Sequence, residues 1–124
     1  MKIVAVSDTH EQIHSMRHKI PDGDVFIHAG DITNRGDLQA FQVAAKFIGK
    51  LPHKYRVIIG GNHDQTLQHS SYFTRSEILD LFKENNIIYL QDSSVTIENK
   101  IFYGSPWSPT FGNWSFNLNR GEKI

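Results

Sequence analysis

Three short segments of the chain crowd carboxylate, imidazole and amide groups behind apolar runs. "IVAVSDTH" delivers Asp8 and His10, "VFIHAGD" delivers Asp31, and "VIIGGNHD" delivers Asn62, His63 and Asp64. Asp8 and His10 are two residues apart, so in an extended segment they project to the same side. A small residue, Ser7, Gly30 or Gly61, precedes each group, and glycine lets a backbone turn sharply and approach a ligand closely. Hard carboxylate oxygens with imidazole nitrogen suit Mn, Fe, Zn or Mg. A carboxylate such as Asp31 can bridge two ions. Two ions roughly 3.5–4 Å apart clamp a phosphoryl group and generate a hydroxide nucleophile near neutral pH. His63, beside Asp64, has the makings of a general acid oriented by a carboxylate.

Taken singly, these segments say little. Asp-x-His arises by chance in solvated loops, Gly-Asp is an ordinary turn, and Asn and Asp are favoured turn residues. All three in order, each ending an apolar strand, point to a metal site rather than to three polar turns.

The elements that must position them alternate strand and helix. Strands are predicted at Ile3 to Val6, Val25 to Ala29 and Arg56 to Ile59. Residues 11–20 are a helix candidate ended by Pro21. A helix over 38–50 is capped by Asp37, with Leu38, Phe41, Ala45 and Ile48 at helical spacing. Another runs from Ser76, as its cap, to Asn85. "SVTIENKIFYGS" reads as a hairpin around Asn99-Lys100, and an aromatic, Pro/Gly-rich stretch of no regular period follows. Unbroken apolar strands between helices imply a mainly parallel sheet covered on both faces, an α/β fold. Ligands of such sheets bind outside the carboxyl ends of the strands.

At 124 residues the chain is one domain's worth, and it has no repeat or linker. Thirteen Lys+Arg balance thirteen Asp+Glu, so nothing steers the molecule toward a polyanion or an acidic membrane. Without cysteine there is no disulfide framework and no thiolate metal site. The apolar run in "MKIVAVSDTH" is too short for a signal peptide or a membrane span, so a cytoplasmic, non-membrane protein is expected. Dedicated nucleic-acid binding is not expected, because there is no basic stripe.

"SDTH", "HAGDITNRGD" and "GGNHD" resemble the first three blocks of the calcineurin-like metallophosphoesterases. "GSPWSPTFGNWSFNLNRG", residues 104–121, resembles a stretch that follows the third block in the metallophosphoesterase-domain subgroup. The resemblance implies the first part of a four-layer αββα sandwich and two divalent ions, Mn, Fe, Zn or Mg. It implies Asp8 and His10 as ligands of the first ion, Asp31 as the bridge and Asn62 as a ligand of the second that also touches the phosphate. It further implies His63 as general acid and Asp64 as its acidic partner. Glu11 departs from the pattern, since glycine often follows Asp-x-His; that should alter the loop more than the metal.

The family pattern continues to a later histidine and a Gly-His-x-His block, whereas the last histidine here is His69. The first ion keeps Asp8, His10 and Asp31; the second keeps only Asp31 and Asn62. Three explanations fit: a fragment of a longer phosphoesterase, a partner chain or second copy that completes the site, or a binder that holds phosphate or nucleotide and one ion without turnover. The chain's ending at "NRGEKI" after Trp107, Phe111, Trp114 and Phe116 favours one of the first two, because an aromatic stretch needs something to pack against.

Other residues carry less. His14 and His18 are four apart but lack a third ligand in register, which makes them a solvated face. His28, inside a strand, is a satisfied buried histidine rather than a ligand, and His53 and His69 sit in loops. Arg35 can meet a phosphate oxygen or stay an exposed loop arginine. Trp107 and Trp114 pack locally or wall a nucleobase. The function expected is hydrolysis of the phosphodiester or phosphomonoester bond of a small phosphoester or nucleotide, with a phosphodiester favoured over a protein phosphate, through a metal-activated hydroxide.

Overall fold

The structure, a computed structural model, describes residues 1–69, 72–109 and 114–118. β-Branched and aromatic runs form four short strands, β1 (Ile3–Val6), β2 (Val25–His28), β3 (Tyr55–Ile58) and β4 (Ile87–Tyr89). They lie side by side in chain order and every pair is parallel. Val6, His28, Ile58 and Tyr89 fall in one row. Parallel neighbours need crossovers. A 3-10 turn (Ile13–Met16) lies between β1 and β2, α1 (Leu38–Gly49) between β2 and β3, and α2 (Thr66–His69) with α3 (Tyr72–Glu84) between β3 and β4. The segments that leave β1, β2 and β3 therefore emerge at one edge. Those are the segments that carry the polar clusters.

Both faces of the sheet carry packed side chains, which is why its strands are mainly apolar, with His28 in β2 and Arg56 in β3 the polar exceptions. On one face Val4, Phe26, Ile58 and Ile87 pack with Ile13 and with Phe41, Ala45, Ile48, Ile78 and Phe82 of the helices. On the other, Val25, Val57 and Leu90 pack with Ile97 of an antiparallel hairpin, β5 (Ser93–Ile97) and β6 (Lys100–Gly104). Each fully buried aliphatic side chain stabilises the fold by about 1.5–3 kcal/mol. The edge strand is less protected, and Ile3 stays half exposed.

Several local expectations are corrected. The helix expected over 11–20 shrinks to the 3-10 turn. α3 begins at Tyr72, so Ser76 lies inside it and caps nothing. Asp37 takes the cap position of α1 with extended backbone, but its side chain makes no capping bond. The hairpin turns at Glu98 and Asn99, both at positive φ, because Ile97 pairs with Lys100; that geometry suits a two-residue turn. β4 and α2 were not anticipated. Asn86 ends α3 in the left-handed conformation and passes the chain directly into β4.

Where it is described, the aromatic stretch packs on the chain itself. β7 (Ser108–Pro109) pairs with β8 (Asn117–Leu118), Phe116 is fully buried, and Trp107 meets it edge-on at 5.4 Å. Phe111 and residues 119–124, on which part of that expectation rested, lie outside the described residues. Among the described residues no helix is long and apolar enough to cross a membrane.

Candidate metal centre

Past the strand ends, the loop after β1 is laced to the loop after β2. The amides of Asp8, His10 and Glu11 donate to the carbonyls of Gly30, Asp31 and Ile32 at 2.9, 3.0 and 2.8 Å. Asp8, His10, Glu11 and Asp31 all adopt positive φ, at 55°, 42°, 68° and 58°. Non-glycine residues pay roughly 1–2 kcal/mol each for that conformation. Such strain persists only where the surroundings over-determine it, and it clusters at functional sites.

The glycines of "GGNHD" have separate reasons. A Cβ on Gly61 would fall 2.8 Å from Asp31 Cγ and closer still to Asp31 Oδ1. A Cβ on Gly30, itself at φ +104°, would meet Gly61 Cα at 3.0 Å. The two backbones are thus pressed together so that Asp31 can lie flat on the third strand end. Gly60 instead makes room for Phe116 and Leu67, each 3.1 Å from where its Cβ would be.

Asp31 is the hub. Its Oδ1 accepts the His63 amide N–H at 2.9 Å, and its Oδ2 lies 3.9 Å from His10 Nε2. Asp8 Oδ1 is also 3.9 Å from His10 Nε2. The Asp8 and Asp31 carboxyls are neighbours on either side of the His10 ring nitrogen and influence each other's ionisation. The Asn62 amide lies 3.1 Å from both Asp31 oxygens and can present either end. With its nitrogen there it donates to the carboxylate; with its oxygen there, two acceptors face each other and call for a cation. Ligand atoms of His10, Asp31 and His63 also lie within 4.8 Å of one another. These donors, carboxylate, imidazole and amide oxygen, fit a hard or borderline divalent ion.

The electrostatics agree with that fit. Burial holds the Asp31 carboxyl above the usual carboxylate range, and the neighbouring Asp8 carboxyl adds to this against the His63 amide. The Ser7 hydroxyl, then Asp31, holds Asp8 below that range.

His63 and Asp64 part company. Asp64 is fully buried and accepts from Gly61 N, Ile32 N, Thr33 N and Thr33 Oγ1 at 2.9, 3.2, 2.9 and 2.8 Å. It braces the β2 loop against the β3 loop. The expectation that Asp64 orients His63 is therefore corrected. The partner of His63 Nδ1 is the Asn34 carbonyl, at 2.9 Å. A carbonyl only accepts, so Nδ1 carries the proton and Nε2 is the ring atom left for chemistry.

His28 is, as expected, a buried and hydrogen-bonded histidine. It accepts from the Gly30 amide at Nδ1 (3.2 Å), which leaves Nε2–H to donate to Thr9 Oγ1 (2.8 Å). Burial pushes its imidazole down to about 4. His14 and His18 are exposed, and so is Arg35 on the loop after Asp31. His53 is not a plain loop residue, since it is buried with Nε2 2.9 Å from the Pro21 carbonyl. Sequence reasoning missed that Trp114 lies over the His63 ring, with centroids 4.0 Å apart. Only its place in an aromatic stretch hinted that it had a partner.

Comparison with known proteins agrees with this architecture. Metallophosphoesterase domain-containing protein 1 of Homo sapiens is 36% identical over 99% of this chain, and a UPF0046 protein of Caenorhabditis elegans is 38% identical over all of it. The chain spans 42% and 44% of their lengths. Among solved structures, the phosphopantetheinyl hydrolase from Mycobacterium tuberculosis superposes with a TM-score of 0.56 at 15% identity, covering 86% of this chain and 42% of that one, a likeness of fold. The family model described as calcineurin-like phosphoesterase matches residues 1–121, and with the three strand ends meeting around Asp31, the chain belongs to that family.

Proposed function

We propose that this chain carries the metal-binding half-site of a metal-dependent phosphoesterase acting on small phosphodiesters or phosphomonoesters, nucleotides included. The observation that carries this reading is the convergence of Asp8, His10 and Asn62 on the Asp31 carboxylate. Asp8, His10 and Asp31 would hold one ion, and Asp31 with Asn62 would contribute to a second. Divalent ions, manganese first among them, supply Lewis acidity and lower the pKa of water there. The protein's own groups do the rest. Asn62, His63 and Arg35 would contact the phosphoryl oxygens. His63, held at Nδ1 by Asn34, would act as the imidazolium, with both ring nitrogens protonated, and pass the Nε2 proton to the departing alkoxide, leaving the neutral Nδ1–H ring.

A phosphodiester is the favoured substrate over a protein phosphate, and in either ester class an alkoxide leaving group would take the proton that His63 provides. Ligands beyond this half-site come from a further segment or from another chain, a second copy included. A cytoplasmic setting suits a cysteine-free chain. The second reading, a phosphate or nucleotide binder that keeps one ion without turnover, is favoured by the imbalance between the two sets of ligands.

The test is metal content per chain after Mn²⁺ loading, paired with hydrolysis of bis(p-nitrophenyl) phosphate with and without chelator. Two ions and chelator-sensitive turnover, both lost in Asp31→Asn, support the phosphoesterase. One ion without turnover supports the binder. Failure to retain any ion would sink both.

A further inference from the structure

A general acid is useful only if its proton points one way, and the His63 ring is held on more sides than its own backbone explains. Nδ1 is tied to the Asn34 carbonyl at 2.9 Å. The His10 ring meets it edge-on, with centroids 4.7 Å apart and planes at 87°. The Trp114 indole covers it at 4.0 Å and 31°. A hydrogen bond at one ring nitrogen leaves the ring free to rock about that bond, and a stacked indole removes this freedom.

Trp114 is itself anchored to the strand end that bears His63. The amide of Ser115 donates to the carbonyl of Asn62 at 3.0 Å. The Phe116 side chain is fully buried and reaches the space left by Gly60. Its amide donates to Gln68 Oε1 at 2.5 Å, and its carbonyl accepts from Ser108 N at 3.0 Å. Phe116 sits at φ 56°, a conformation that a bulky residue holds only when its surroundings impose it. Residues 114–116 thus form a strap, fastened to the backbone of Asn62 and to the gap at Gly60, whose one half-buried aromatic lies on the acid.

We infer that Trp114 is a positioning residue: it fixes the His63 ring so that Nε2 faces the leaving oxygen, and it closes the ring face that the substrate does not use. The inference rests on the reading of His63 as general acid. The free approach to Nε2 is then from the side of His10 and Asp31, where the phosphoryl group would lie. Trp114 should matter in proportion to how much protonation the leaving group needs.

Two measurements separate this inference from that reading. The first needs no activity. The ring-proton resonances of His63, assigned with His63→Gln, should lie upfield under the indole and move downfield in Trp114→Leu, while Trp114→Phe keeps most of the displacement. The second compares two diesters, one losing p-nitrophenolate and one losing an alkyl alcohol. Trp114→Leu should lower kcat for the alkyl leaving group by about 10- to 100-fold at unchanged KM, and should leave the nitrophenyl substrate almost unaffected. Trp114→Phe should restore the alkyl reaction.

An equal loss on both diesters would make Trp114 merely structural and overturn the inference. A rise in KM alone would make it a substrate-stacking wall and overturn it too, as would His63 resonances unmoved by the substitution. If His63→Gln shows no leaving-group dependence, the acid reading is what fails, and the ring-proton shifts alone decide whether Trp114 holds the ring.

Discussion

The Asp31 carboxylate lies against the bare Cα of Gly61, so close that a methyl group there would stand 2.8 Å from Asp31 Cγ. Backbone on one side and the ligand cluster on the other leave Asp31 nowhere to move. Gly61→Ala is therefore expected to displace the hub carboxylate, weaken Mn²⁺ binding at least tenfold and cost about 1–3 kcal/mol from overpacking. Gly60→Ala is the control, because its Cβ would meet side-chain atoms of Leu67 and Phe116 that can shift. Calorimetric titration of metal into both variants checks this. Equal metal affinity in Gly61→Ala and the parent would mean that Asp31 is not the hub.

Asp64 presents the reverse case, a carboxylate in the motif that works inward. Its donors come from both loops, and it is wholly out of solvent. Asp64→Asn replaces an acceptor by an NH₂ facing backbone N–H groups. A loss of about 2–4 kcal/mol in urea unfolding is expected, at unchanged m. His63→Gln, in a half-buried position, should cost less than about 1 kcal/mol. If Asp64→Asn unfolds at the parent's midpoint, the brace is misassigned.

These two aspartates show what could and could not be read beforehand. The strand ends were legible because apolar runs of strand length stop abruptly at small residues, and parallel pairing then fixes where Asp8, Asp31 and Asn62 must gather. The direction of Asp64 was not legible, since neighbouring residues in a turn can face opposite ways and sequence adjacency to His63 suggested a pair. Nor was the contact of Trp114 with His63, because a stack between residues far apart in sequence depends on how the strap crosses the sheet edge. β4 escaped because its three residues are too few to show a period. The short helix expected before β2 failed for a related reason: the lacing of Glu11 to Ile32 consumes the turn that would have begun it.

His28 makes acid stability predictable in sign. Burial lowers its folded pKa from 6.5 to about 4, so between those values the unfolded chain binds more protons than the native one. Stability from this group is complete above pH 6.5 and drains away as pH falls toward 4. Between pH 7.5 and pH 5 the loss should be about 2 kcal/mol. Unfolding of the parent and of His28→Gln at both pH values checks this, since the variant should lose that much less of its own stability. A parent whose stability is flat over the range would mean that His28 titrates normally in the fold.

Glu11 stands where the resemblance implies glycine, and the structure shows both why glycine would suit and what the glutamate supplies. Its φ is +68°, in the left-handed region, and its Oε2 accepts the Asn34 amide N–H at 2.8 Å. The same Asn34 offers its carbonyl to His63 Nδ1, so Glu11 steadies the acceptor that orients the candidate acid. Glu11→Ala keeps the strained backbone and loses the bond, for an expected cost of about 1 kcal/mol. Glu11→Gly loses the same bond but relieves strain worth roughly 1–2 kcal/mol, against an unfolded-state penalty of about 0.5–1 kcal/mol. The glycine variant should therefore be as stable as the alanine variant or more so, with both retaining the parent's metal stoichiometry. Thermal unfolding of the pair decides it. A glycine variant clearly less stable than the alanine one would show that position 11 carries no backbone strain worth relieving.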